Sequence, residues 1–196
     1  MLKVALTGGI ATGKSYVLAR LRERGIPTIE ADDIVHEALA PGTATTNAIV
    51  TRFGGVLKPD GSIDRRVLAA KVFTDPESRL QVEAIVHPVV YAHIKEWYET
   101  LDRPIGVASI PLLYETRREG DFDFVAVTLC SPEQQLQRLL ERDGISEDDA
   151  RQRIQSQMPG EEKARRANFV ILTGGTPLST DRQVDELLIA IHEFAS

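Results

Sequence analysis

The sequence predicts an α/β protein: a three-layer α/β/α fold with helices covering a five-stranded parallel sheet, to which a helical subdomain and a helical lid are added. Three observations predict it. Residues 8–15 read Gly-Gly-Ile-Ala-Thr-Gly-Lys-Ser and fit the phosphate-loop pattern G-x-x-x-x-G-K-[ST]. They lie between an apolar strand-like run and a helix-like run, as a phosphate loop requires. Five short apolar, β-branched runs alternate with helical segments along the chain, which is the pattern of right-handed βαβ units.

Residues 2–7 form the expected first strand and residues 15–24 the first helix. Between them, Gly8 and Gly13 let the backbone curl so that successive N–H groups point inward, and the helix adds its partly positive N-terminus. The predicted cradle is Gly8, Gly9, Ala11, Thr12, Gly13, Lys14, Ser15 and Tyr16. Lys14 reaches the outer phosphates as a point charge, and the Ser15 hydroxyl completes the shell of a hard cation such as Mg²⁺. The motif leaves open whether the phosphate moves to water or to another molecule.

A second short strand around Thr28-Ile29 delivers Glu30-Ala31-Asp32-Asp33 at its carboxyl end, the edge where open α/β sheets bind ligands. Asp32 or Asp33 can hold Mg²⁺, accept a proton from an attacking hydroxyl, or simply cap the helix expected from Ile34. Residues 34–101 contain helical spacing broken by Pro41-Gly42, Gly54-Gly55 and Pro59-Asp60-Gly61, but no convincing central strand. That much helix between two strands of a phosphate-loop fold reads as an acceptor-binding insertion. His87-Pro88 marks an expected bend, because proline pushes the preceding residue out of helical geometry.

Residues 105–110 form the third strand, leading to Tyr114 and Glu115, and residues 122–130 form the most apolar strand of the chain. Ser131-Pro132-Glu133-Gln134 carries an N-cap, a first-turn proline and a capping-box glutamine. The helix that follows puts Arg138 and Arg142 on one face, four residues apart. Gly144 ends that helix and Ser146 caps the next, so residues 132–166 read as a basic helical lid or, alternatively, a solvated face of balanced charge. Residues 168–172 form a last strand, and residues 181–194 a closing amphipathic helix.

The whole chain bounds the function classes. Its 196 residues suit one α/β domain, and its formal net charge of −6 argues against a large nucleic-acid surface. No run approaches the roughly 18 apolar residues of a membrane span. The first strand begins at once, so no signal peptide is expected and cytoplasmic residence is. Cys130 is the one cysteine, which excludes an intrachain disulfide and suits a small core side chain.

Taken in order, these motifs resemble the dephospho-coenzyme A kinases nearly end to end. The residues that carry the resemblance are Leu6-Thr7-Gly8-Gly9-Ile10 with Gly13-Lys14-Ser15, Ala31-Asp32, Gly61 through Asp64-Arg65, Val72-Phe73, His87-Pro88, and Pro111-Leu112-Leu113 with Glu115. Arg138 with Arg142-Asp143, Arg153 with Gln157, and Lys163 complete them. The resemblance implies phosphorylation of the ribose 3′-hydroxyl of dephospho-coenzyme A by ATP with Mg²⁺. It implies Asp32, Lys14, Arg138 and Arg142 as the catalytic set, and it assigns Arg65, His87 and Leu113 to the acceptor side. The chain departs from the family pattern at Glu30, where an Asp is usual, and at Tyr16, where a Thr is usual. It also reads Leu172-Thr173 where an adenine-side Asn is expected. Another small-metabolite or nucleotide kinase is the alternative, followed by an ATPase or switch; no Asn-Lys-x-Asp or strand-end Asp-x-x-Gly motif supports the switch.

Overall fold

Leu2–Gly8 forms strand β1, Thr28–Glu30 β2, Ile105–Ser109 β3, Phe124–Leu129 β4 and Phe169–Leu172 β5 in the computed structural model, which describes residues 1–195 and, at Arg65, Phe73, Thr74 and Pro76, the backbone alone. The sheet order is β2-β3-β1-β4-β5. β1 pairs in parallel with β3 and with β4, and β4 in parallel with β5. The chain leaves β1 towards one edge of the sheet and β3 towards the other. Their carboxyl ends are therefore the switch point of an open α/β sheet, and the glycine-rich loop grows from the end of β1.

Period-two alternation divides β1 between two layers. Val4 and Leu6 face one side with Val107, Phe124, Ala126 and Ile171, and all six are buried. That face is covered by α1 (Lys14–Glu23) through Val17, Leu18 and Leu21, and by α9 (Pro177–Phe194) through Val184, Leu187 and Ile191. Phe124 and Phe194 meet edge to face, with ring centroids 5.4 Å apart. α8 (Gly160–Arg166) packs against β4, and α6 (Pro132–Asp143) against α7 (Glu147–Gln155), with Leu139 and Ala150 buried.

The chain divides into two compact units, residues 1–29 with 101–196, and residues 30–100. The second is helical: α2 (Ala31–Ala38), α3 (Ala44–Phe53) and α4 (Arg65–Thr74) all pack against α5 (Pro76–Thr100). Thr43 caps α3, and Asp64 caps α4 by accepting from the N–H groups of Arg66 and Val67. Among the described residues no helix is long and apolar enough to cross a membrane.

Four boundaries differ from the sequence reading. α2 starts at Ala31, straight out of β2, with Glu30 at the N-cap position and no side-chain cap, so Asp32 and Asp33 lie in its first turn instead of capping it. There their charges suit the helix dipole. α5 runs through His87-Pro88 as one helix, since burial of Val86, Val90 and Ile94 against three helices outweighs one lost backbone hydrogen bond. α8 is a seven-residue helix where only a charged stretch was read. α9 begins a turn earlier than expected, with Thr176 as N-cap and Pro177 in the first turn.

Leu18 is fully enclosed between α1 and the sheet. Leu18→Ala should cost about 2–5 kcal/mol, the range for truncating a buried leucine. Urea unfolding should show it as a lower midpoint with an unchanged m-value; an unshifted midpoint would mean that the α1 face of the core is not tightly packed.

Candidate functional site

The glycine-rich loop is shaped by close approaches that exclude side chains. Gly8 pairs with Thr128 across β1 and β4. A Cβ there would strike the Thr128 hydroxyl and carbonyl oxygens. Gly13, at φ 88°, occupies the N-cap position of α1, and a Cβ on it would lie 3.3 Å from the Thr173 side chain. Ala11 is one of two non-glycine residues with positive φ among the described residues, at 58°. That conformation costs an L-residue roughly 1–2 kcal/mol and needs a surround that enforces it.

The enforcing surround is a set of hydroxyls and amides. The Thr12 hydroxyl donates to the Gly9 carbonyl at 2.8 Å and lies 2.8 Å from the Thr128 hydroxyl. The Thr173 hydroxyl donates to the Thr12 carbonyl at 2.7 Å. Gln157 Oε1 accepts from the Ile10 N–H at 2.8 Å, and Gln135 Nε2 donates to the Ile10 carbonyl at 2.7 Å. Lys14 Nζ donates to the Gly8 and Gly9 carbonyls at 2.8 and 2.9 Å, which holds its ammonium across the mouth of the loop. The first-turn N–H groups of α1, such as those of Ser15 and Tyr16, precede the first intrahelical acceptors, as at any helix start. They and the helix dipole make an anion site, with the exposed Ser15 beside it.

Tyr16 contributes its backbone to this turn. Its hydroxyl donates to Asp181 at 2.8 Å and so fastens α1 to α9. Arg138 donates to the Thr173 carbonyl at 2.6 Å, beside the loop, which joins α6 to the segment after β5. Arg142 is exposed and donates to Asp143 at 2.7 Å. That contact raises the Arg142 pKa and lowers that of Asp143. Arg153 of α7 shares Asp143 at 2.9 Å. The two arginines read as a pair are thus held by different partners, one by a backbone carbonyl and one by a carboxylate.

Lys163, one of several positive charges in its stretch and one of the residues that carry the family resemblance, is 0% exposed. Its ammonium donates to Glu115 Oε1 at 2.8 Å and to the Pro111 carbonyl at 2.9 Å. The Thr7 hydroxyl donates to that same carbonyl at 3.2 Å, and Glu115 Oε1 also accepts from the Met158 N–H at 2.9 Å. The signal available in the sequence was the order of charges in residues 160–166, acids first and bases last, which suits a helix dipole. Nothing local marked which base would be inside. Beside this pair Tyr114 is 3% exposed with no protein partner for its hydroxyl, and burial pushes its pKa up to about 12.

The remaining expected residues lie on other elements. Asp32 is exposed in the first turn of α2. His87 lies in the middle of α5, edge-on to Tyr91 at 6.4 Å, with its pKa lowered by burial. The Leu113 side chain is fully buried, so its part of the loop after β3 meets solvent only through its neighbours. The Arg65 side chain lies outside the described residues; its backbone opens α4. Cys130 is half-buried, its pKa raised by desolvation.

Comparison with known proteins follows the same geometry. The family model for dephospho-CoA kinase matches residues 2–177. The dephospho-CoA kinase of Thermosynechococcus vestitus is 43% identical over 188 residues, covering 95% of this chain and 93% of the relative. The structure of TT1252 from Thermus thermophilus superposes with a TM-score of 0.87 at 32% identity over 96% of both chains. That of a dephospho-CoA kinase from Campylobacter jejuni gives 0.72 at 28% identity over 97% of both.

Tyr114 yields a test of the packing behind the loop. The unfolded chain ionises this phenol near its ordinary pKa of 10.0, while the folded chain holds it neutral to about 12. The stability it contributes is therefore full below pH 10 and is lost as pH rises towards 12. Tyr114→Phe should gain about 1 kcal/mol at neutral pH by removing an unpartnered buried hydroxyl. Its urea midpoint should also fall less steeply over the alkaline window. Parallel curves for parent and variant would contradict this.

Proposed function

Because the chain belongs to the dephospho-CoA kinase family, we propose that it transfers the γ-phosphoryl group of ATP to the ribose 3′-hydroxyl of dephospho-coenzyme A. The products are coenzyme A and ADP, and the expected compartment is the cytoplasm. The observation that carries the reading is the loop of residues 8–15, with its backbone held by threonine and glutamine side chains and Lys14 across its mouth. In the reaction the ribose oxygen bonds to the γ-phosphorus, the bond from that phosphorus to the bridging oxygen of ADP breaks, and the hydroxyl proton leaves. Positioning and neutralisation of charge supply most of the rate, because phosphoryl transfer needs little covalent help.

In this reading Gly8, Gly9, Ala11, Thr12 and Gly13 wrap the phosphates with backbone groups, the first turn of α1 adds its N–H groups, and Lys14 neutralises the outer phosphates. Asp32 orients the ribose hydroxyl and takes its proton. The helical unit of residues 30–100 receives the acceptor, with Arg65 and His87 on its side, and Leu113 supports the loop after β3. The α6–α7 pair acts as the lid, in which Arg138 is tied to the nucleotide segment and Arg142 is available to the transferring group. A Mg²⁺ ion would be held here through oxygen ligands. The exposed Ser15 hydroxyl at the helix start is the protein oxygen that fits it. When bound, the ion would neutralise the negative charge of the phosphates.

A coupled assay of ADP release tests the reading with dephospho-coenzyme A, a nucleoside monophosphate or water as the acceptor. Release should depend on dephospho-coenzyme A; equal release without any acceptor would replace the kinase with an ATPase. Asp32→Asn should lower kcat by at least about 100-fold, the lower bound for loss of a positioned base, while ATP binding measured by calorimetry stays near the parent value. Near-normal turnover would remove Asp32 from the mechanism.

A further inference from the structure

Ile10 of the loop has its peptide groups gripped on both sides by side chains from distant segments. Gln157 Oε1 accepts from its N–H at 2.8 Å, and Gln135 Nε2 donates to its carbonyl at 2.7 Å. The next residue is Ala11, held at φ 58°. A strained non-glycine conformation persists only where neighbouring contacts over-determine it. The grip on Ile10 is the contact adjacent to that strain.

The backbone beside Gln157 is anchored in turn. Met158, the next residue, donates its N–H to Glu115 Oε1 at 2.9 Å, and Glu115 is paired with the buried Lys163 at 2.8 Å. Lys163 also holds the Pro111 carbonyl, to which the Thr7 hydroxyl donates at the entrance of the loop. The entrance and the apex of the phosphate loop are thus both referenced to one buried ion pair, and Gln157 is the connection to the apex. It sits two residues beyond α7, after the C-cap Ser156, in the link between that helix and α8.

From this we propose that Gln157 is a positioning residue for nucleotide binding: with Gln135 it clamps the Ile10 peptide, enforces the left-handed turn at Ala11, and so aligns the loop N–H groups towards the phosphates. The inference rests on the nucleotide-binding reading of the loop, not on the identity of the acceptor.

The test is direct titration of ATP by calorimetry against Gln157→Met, which keeps the length and volume of the side chain and removes its acceptor. The dissociation constant should rise about tenfold, with the melting temperature close to the parent's and KM for dephospho-coenzyme A unchanged. Ala11→Gly added to Gln157→Met should recover part of the lost affinity, since glycine takes positive φ without strain. A variant that melts lower yet binds ATP like the parent, or a double variant with no recovery, overturns the proposal. If Gln157→Met does not fold, Gln135→Met removes the other half of the clamp and must show the same loss. Because ATP binding is read without phosphoryl transfer, failure of the dephospho-coenzyme A assay leaves this outcome legible.

Discussion

The close approach of Gly8 to Thr128 at the carboxyl edge of the sheet is the constraint on which the rest of the site depends. Parallel pairing of β1 and β4 brings these residues opposite each other, and only a residue without Cβ fits beneath the Thr128 hydroxyl. That hydroxyl then lies 2.8 Å from the Thr12 hydroxyl, which returns to the Gly9 carbonyl and fixes the first curl of the loop. A sheet contact is thereby converted into the curvature of an anion cradle. Had β4 carried a larger residue at this position, the loop would have to rise away from the strand end and its N–H groups would no longer converge.

The second layer of control is charge buried behind the cradle. An ammonium with no solvent exposure is tolerable only when paired and hydrogen-bonded, and Lys163 has both a carboxylate and a carbonyl. Such a pair adds little net stability compared with an apolar replacement, but it is directional, and here its direction is informative. It ties α8 to the segment after β3, and through the Pro111 carbonyl to Thr7 at the foot of the loop. The specificity of this connection, more than its energy, accounts for a lysine inside a core that apolar residues could have filled.

What the sequence made legible and what it hid divide along the same line. The loop, its flanking strand and helix, the caps at Ser131 and Ser146, and the five strands are encoded by neighbours within a few residues, and they stand where the pattern put them. The features that local pattern does not encode depend on partners far along the chain. Pro88 stays helical because three helices pack on α5, Lys163 is inside because Glu115 lies opposite, and the two glutamines meet Ile10 across more than a hundred residues. Likewise Arg138 and Arg142 share a helix face by spacing, while their partners separate them.

That separation bears on how a basic surface can be both ordered and available. Arg138 gives its guanidinium to a backbone carbonyl whose residue also braces the loop, so moving it would disturb Thr173 and, through it, Thr12. Arg142 and Arg153 instead share one carboxylate at the surface. Exposed ion pairs contribute little net energy because water already solvates both partners, whereas a guanidinium meeting a phosphate makes shorter, charge-assisted bonds in fork geometry. Asp143 therefore keeps two cations oriented near α6 without holding them tightly. Within one helix, one arginine is bound to backbone and the other to a surface acid.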